Sequence, residues 1–323
     1  MHRRMIIQVK STSPAVGLAA MFLLFGCASV LDEDGALTIA PYKIEENGRI
    51  VVAARVNDQG PFDFALDTAA SISAVFDDLR YELELETVPD KMAIIHGAVA
   101  TGTYPLLDID RIEVGREIWT DARIVSLPGD TMAGIAIDGV LGVDFLRQYA
   151  VGFSTRERVI RLYPPQLVAR RAYRGWAAVP LEAETISESG ATVFVFEIEI
   201  DGRRLPAVFD LGAGLNLINW QGAKRLGIDP AKLRDDERVF GAIESAPVMA
   251  RLDTDEVTTG NIRWRNEAFL IADLEVFSTL MPDDGPAAIL GAGLFTKRDF
   301  VIDFVRSRLL IKIAMDEVNP PGN

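Results

Sequence analysis

The sequence is poor in the side chains that most hydrolases use. Its 323 residues include one cysteine, Cys27, and two histidines, His2 and His96. A structural zinc site takes about four Cys or His ligands, and a disulfide framework needs paired cysteines, so both are excluded. Ser-His and Cys-His catalytic pairs are excluded too unless His96 acts alone, and no Gly-x-Ser-x-Gly elbow occurs. Positive charge is also scarce: 33 Lys and Arg stand against 47 Asp and Glu, a formal net charge of −14. Such a chain repels phosphate backbones, so no nucleic-acid partner is expected. What is present, 49% hydrophobic and 25% charged residues, fits a folded globular protein with a substantial core.

The amino-terminal apolar run, Ala15 to Gly26, is shorter than the roughly 20 residues a membrane-spanning helix needs. It follows the positive start Arg3, Arg4 and Lys10, a pattern that reads as a signal peptide over residues 1–26. The run ends in Leu24-Phe25-Gly26-Cys27, which resembles the lipobox of bacterial lipoproteins, with Phe25 larger than the usual residue there. The resemblance implies that Cys27 is lipidated and becomes the first mature residue, anchored outside the cytoplasm on a bacterial cell-envelope membrane. The alternative is a plain signal peptide with an incidental cysteine. Residues 27–37 then form a tether whose acidic Asp32-Glu33-Asp34-Gly35 lacks the spacing of an EF-hand.

Beyond the tether, one short pattern occurs twice. In Phe62-Asp63-Phe64-Ala65-Leu66-Asp67-Thr68-Ala69-Ala70-Ser71, alternating apolar residues make a strand that delivers Asp67 into a turn of small residues. Leu205-Pro206-Ala207-Val208-Phe209-Asp210-Leu211-Gly212-Ala213-Gly214 repeats it 143 positions later. Other landmarks recur in the same order. The strand Arg49 to Val56 is answered by Ala191 to Ile200, and the turn Asn57-Asp58-Gln59-Gly60 by Asp201-Gly202. Gly97 is answered by Gly241, and Val140-Leu141-Gly142 by Ile289-Leu290-Gly291. The closing strands at Ala150–Phe153 and Val159–Tyr163 return at Phe300–Phe304 and Leu309–Ile311. Val75 to Leu85 reads as a short helix. A period near 140 marks a duplicated domain, with lobes at 38–170 and 171–318 and Pro164-Pro165 near the junction. Gly212-Ala213-Gly214 is no dinucleotide loop, because the third glycine is missing and a strand follows.

Two carboxylates in contact cannot both ionise cheaply, so the pair shares a proton and can act on a water without metal or other cofactor. In this respect the chain resembles the retropepsin-like aspartic peptidases. That family is marked by a hydrophobic-Asp-Thr/Ser-Gly-Ala loop, a glycine-bearing flap and a hydrophobic-hydrophobic-Gly segment. The resemblance covers residues 38–312 and implies an all-β chain of two pseudo-symmetric β-barrel lobes. It also implies a catalytic pair Asp67 and Asp210, supporting loop residues Thr68, Ala69, Leu211 and Gly212, and flap glycines Gly97 and Gly241. The substrate would be a polypeptide held between the lobes of a monomer. Ala69 stands where the family has glycine, and Leu211 where it has Thr or Ser. The alternatives are a catalytically silent peptide-binding or scaffolding lipoprotein on the same fold and, last, a small-molecule solute binder.

Replacing Cys27→Ser is expected to move the protein from the membrane fraction to a soluble or uncleaved form. Unchanged fractionation with an unlipidated mature terminus would overturn the lipid anchor.

Overall fold

The computed structural model describes residues 35–97, 101–129, 137–170, 173–185, 192–229, 238–240, 245–247, 250–280 and 285–313. Cys27 and Gly241 lie outside them. The described residues fall in one compact unit, and none of their helices is long and apolar enough to cross a membrane.

The architecture is all-β, in two lobes. Strands β1 (Thr38–Ile44) and β2 (Ile50–Val56) open the first, and β3 (Gln59–Leu66) returns along β2. Strand β4 (Ala74–Phe76) leads into helix α1 (Asp77–Glu82). A long hairpin of β5 (Thr87–His96) and β6 (Thr101–Val114) is followed by β7 (Glu117–Leu127), antiparallel to β6. Then come β8 (Gly139–Leu141), helix α2 (Val143–Leu146), the closing hairpin β9 (Ala150–Ser154) and β10 (Val159–Tyr163), and helix α3 (Pro165–Arg170).

The second lobe opens with β11 (Trp176–Pro180), β12 (Glu182–Thr185), β13 (Thr192–Ile200) and β14 (Arg203–Asp210). It continues through β15 (Asn216–Ile218), helix α4 (Trp220–Arg225) and the small pair β16 (Arg238–Phe240) and β17 (Ser245–Pro247). Strands β18 (Ala250–Thr259) and β19 (Ile262–Ile271) form its long hairpin, and helix α5 (Glu275–Leu280) follows. Strand β20 (Ala288–Gly291), helix α6 (Ala292–Phe295), β21 (Phe300–Asp303) and β22 (Arg308–Lys312) complete it.

Local chemistry explains the two strands that matter most. Asn57 and Asp58 both take positive φ, so a two-residue turn pairs Val56 with Gln59, and Gln59 and Gly60 belong to β3 rather than to the turn. Asp201 and Gly202 make the same turn between β13 and β14. At their far ends β3 and β14 each gain a parallel neighbour, β8 and β20. Phe64, Ala65 and Leu66 are therefore buried on both faces, as are Ala207, Val208 and Phe209. The segment from Val75 begins as strand, not helix. Ala74, Val75 and Phe76 are fully buried between β7 and β8, which favours the β-branched and aromatic residues there as strand, and α1 starts only at Asp77.

A sheet in the order β11-β22-β21-β9-β10-β1 crosses from one lobe to the other. Its central pairing is antiparallel β9 with β21, Phe153 opposite Phe300 and Val151 opposite Ile302. Exchanging the lobes leaves this order unchanged, so a pseudo-twofold axis runs between β9 and β21. The Phe153 and Phe300 rings stack at 4.2 Å between centroids. Phe300 meets Phe295 at 5.8 Å, and Phe295 meets Phe209 edge-on at 4.7 Å. This train of rings runs from the seam to the residue before Asp210.

Phe300→Ala should open a cavity at the seam and destabilise the protein by about 3–5 kcal/mol in a denaturant titration. A loss near zero would show that the lobes do not depend on one shared core.

Candidate active site

Each aspartate stands where its strand stops. The Asp67 amide donates to Leu141 O (3.0 Å), and Asp210 lies opposite Gly291 in the β14–β20 pairing. Beyond them the chain turns back beneath its own carboxylate. The amides of Ala69 and Ala70 donate to Asp67 Oδ1 at 2.8 and 2.9 Å. The Ala213 amide donates to Asp210 Oδ1 at 3.0 Å, and the Gly212 amide also donates to that carboxyl. The two carboxyl groups are in hydrogen-bonding contact with each other. A Cβ on Gly212 would collide with the Asp67 carboxyl, so the close approach admits only glycine there.

One hydroxyl ties the loops together. Thr68 is fully buried, and its Oγ1 donates to Phe209 O (2.8 Å) while accepting from the Leu211 amide (3.0 Å). The mirror bonds are absent because Leu211 has no hydroxyl; its side chain is fully buried in the main core. Ala69, where the family pattern has glycine, is accommodated without positive φ.

The segments after β8 and β20 hold the loops from behind. The amides of Val143 and Ala292 donate to Ala70 O and Ala213 O, both at 2.7 Å. The Gly142 amide reaches Ser73 Oγ (2.9 Å) and the Gly291 amide reaches Asn216 Oδ1 (3.1 Å). A Cβ on either glycine would strike a loop carbonyl at 2.5 Å. Ser73 is in turn held by Asp144, its Oγ at 2.6 Å and its amide at 2.8 Å from that carboxylate.

A family model for aspartyl proteases matches residues 52–145 and 196–294, once in each lobe and together more than half of the chain. The chain belongs to the aspartyl protease family. No curated protein matches it.

Within this aspartyl protease fold the two carboxyls are unequal. Burial raises both pKa values, and the charge of Asp67 raises Asp210 further, to about 8. Asp67 is lowered in part by its two amide donors, by Arg49 and by the hydrogen bond from Asp210. The pair therefore opposes double ionisation, and Asp210 carries the added upward push from its neighbour's charge. Both aspartates are half-buried residues.

Gly97 directly follows β5, between the two strands of the first long hairpin. His96 is half-buried, its Nδ1 3.0 Å from Thr101 Oγ1, and that hydroxyl donates to Glu275 Oε1 of α5 at 2.6 Å. The hairpin thus touches the opposite lobe. Among the described residues no group of three or more His, Cys, Asp or Glu converges as a metal site would require.

Sequence reasoning missed Ser73, Asn216 and Arg49. Ser73 and Asn216 each follow their aspartate by six positions, a signal available in the repeat. Arg49 gave none, since a cation heading an apolar strand reads as surface charge.

Thr68→Val keeps the volume but leaves the Phe209 carbonyl and the Leu211 amide buried without a partner. The expected loss is about 1–3 kcal/mol per stranded group, read by urea denaturation, while Thr68→Ser should stay close to wild type. Equal stability of all three would deny the hydroxyl its bracing part.

Proposed function

We propose that the chain is an aspartic endopeptidase that hydrolyses extended polypeptides by a water activated between Asp67 and Asp210. The observation that carries this reading is the contact of two carboxyls from different lobes, where the charge of Asp67 opposes ionisation of Asp210. Ionised Asp67 takes a proton as water oxygen bonds to the scissile carbonyl carbon. Protonated Asp210 hydrogen-bonds the carbonyl oxygen and passes it its proton, which yields the tetrahedral diol. As the C–N bond breaks, the proton taken up by Asp67 passes to the departing nitrogen, and Asp210 regains its own from the collapsing diol. The hairpin carrying Gly97 reaches over to α5 and offers backbone groups for a strand-like substrate. Lipidation at Cys27 would hold this site outside the cytoplasm, and the duplicated loops suit a monomer.

The one-sided Thr68 brace favours one rival, a silent peptide binder, because it holds the Asp210 loop while Leu211 offers no mirror bond to the Asp67 loop. The two readings part in one experiment. As a peptidase, the chain should cut an unfolded protein with a bell-shaped pH profile. Below the pair's lower pKa both groups are protonated and no base remains; above the upper one, near 8, both are ionised and no acid remains. Asp67→Asn and Asp210→Asn should each lower kcat/KM by about 100-fold or more. Full activity in either variant would sink the proposal, and binding without cleavage in wild type and both variants would establish the silent binder.

A further inference from the structure

Arg49 is almost wholly buried beside the carboxyl pair, an expensive place for a guanidinium. It sits in the tight turn between β1 and β2. There the Glu45 amide donates to Arg49 O (3.0 Å), the Gly48 amide to Glu45 O (2.8 Å) and the Arg49 amide to Asn47 Oδ1 (3.1 Å). Gly48 has a φ of +89°, and a Cβ there would meet Gly214 O at 2.6 Å, so the turn is pressed against the second lobe's aspartate loop. From this fixed base Arg49 Nε crosses between lobes and donates to Gly212 O at 2.5 Å.

The charges acting on the guanidinium are those of Asp67, at the end of β3, and Asp210, at the end of β14. On its own turn Glu45 is engaged by Lys43 at 2.8 Å. In the second lobe the position in register with Arg49 is the buried, apolar Val193, and beside it the Thr192 amide donates to Ser71 Oγ at 2.9 Å, so this side carries no charge. Among the described residues the site therefore holds one fixed cation and two titratable carboxyls. With both carboxyls protonated its sum is one positive charge, with both ionised one negative charge, and with a single proton it is neutral.

We propose that Arg49 is a positioning residue that makes the singly protonated carboxyl pair the electrically neutral state of the site, and thereby sets the pH range over which the chain works. In a poorly solvated pocket the neutral combination is the least costly. Without the cation that place would pass to the doubly protonated pair, which has no base. The guanidinium stays charged at any working pH even though burial pulls its pKa below the ordinary value, and the two carboxylates help to hold it up. The inference rests on the peptidase reading for its consequence, but the charge balance itself does not need turnover.

The test compares wild type with Arg49→Gln, which removes the charge yet keeps a donor for Gly212 O, and with Arg49→Lys, which keeps the charge. Hydrolysis of denatured casein is followed across pH, together with a carbon-13 NMR titration of the aspartate carboxyls in the full chain. In Arg49→Gln the acid limb should move to higher pH by about one unit or more, roughly tenfold in rate on that limb, and in Arg49→Lys it should stay near the wild-type position. A lower rate in Arg49→Gln with unmoved limbs would overturn the proposal. If wild type cuts nothing, the peptidase reading fails and the NMR titration still decides. An upward shift of the Asp67–Asp210 titration in Arg49→Gln supports the proposal, and an unchanged titration rejects it. Should Arg49→Gln not fold, Arg49→Met, which retains the stem, is read in the same way.

Discussion

Holding two carboxyl groups in contact inside protein is the costly arrangement around which this molecule is built. Burial and mutual repulsion both oppose ionisation, and a free chain would separate the groups. The fold offsets that cost with oriented donors: two amides on Asp67 and two on Asp210. Those amides point correctly only because each loop is fixed from behind by the segment after its parallel partner strand, β8 or β20. The partner strands are fixed by the core, and the core is continuous across the lobes through Phe153, Phe300, Phe295 and Phe209. Removing support anywhere along this line releases the pair.

Symmetry supplies the frame, and departures from it supply chemistry. Backbone bonds to Ala70 and Ala213 match at 2.7 Å in both halves. The side chains do not match: Thr68 faces Leu211, Ala69 corresponds to Gly212, and Arg49 corresponds to Val193. Each difference falls on one side only, which two copies of an identical chain could not arrange. Leu211 trades a second cross-lobe hydroxyl for burial of an apolar side chain, so the brace hangs on a single oxygen.

Much of this was legible in the sequence because its signals are local. Alternating apolar residues mark β3 and β14, and the turns Asn57-Asp58 and Asp201-Gly202 set their registers. The duplicated Asp loop announced the pairing of lobes. Other features have no local signature. Val75 and Phe76 suit a helix as well as a strand until β7 and β8 enclose them. Phe153 and Phe300 resemble any apolar strand residue, and nothing in either segment names the other as partner. Arg49 acquires meaning only when a tight turn carries it across the seam, a contact that spans 163 residues.

For the proposed peptidase, the one-sided cation bears on how a bound chain would be read. A polypeptide has a direction, and a site with true twofold symmetry must accept it equally in either sense. Here one approach to the carboxyls passes the loop that Arg49 grips and the other passes the uncharged meeting of Thr192 with Ser71. The hairpin of β5 and β6 reaches over from the first lobe to Glu275. The approaches to the carboxyls therefore have a left and a right, and for the proposed peptidase a segment and its reversal would be different ligands.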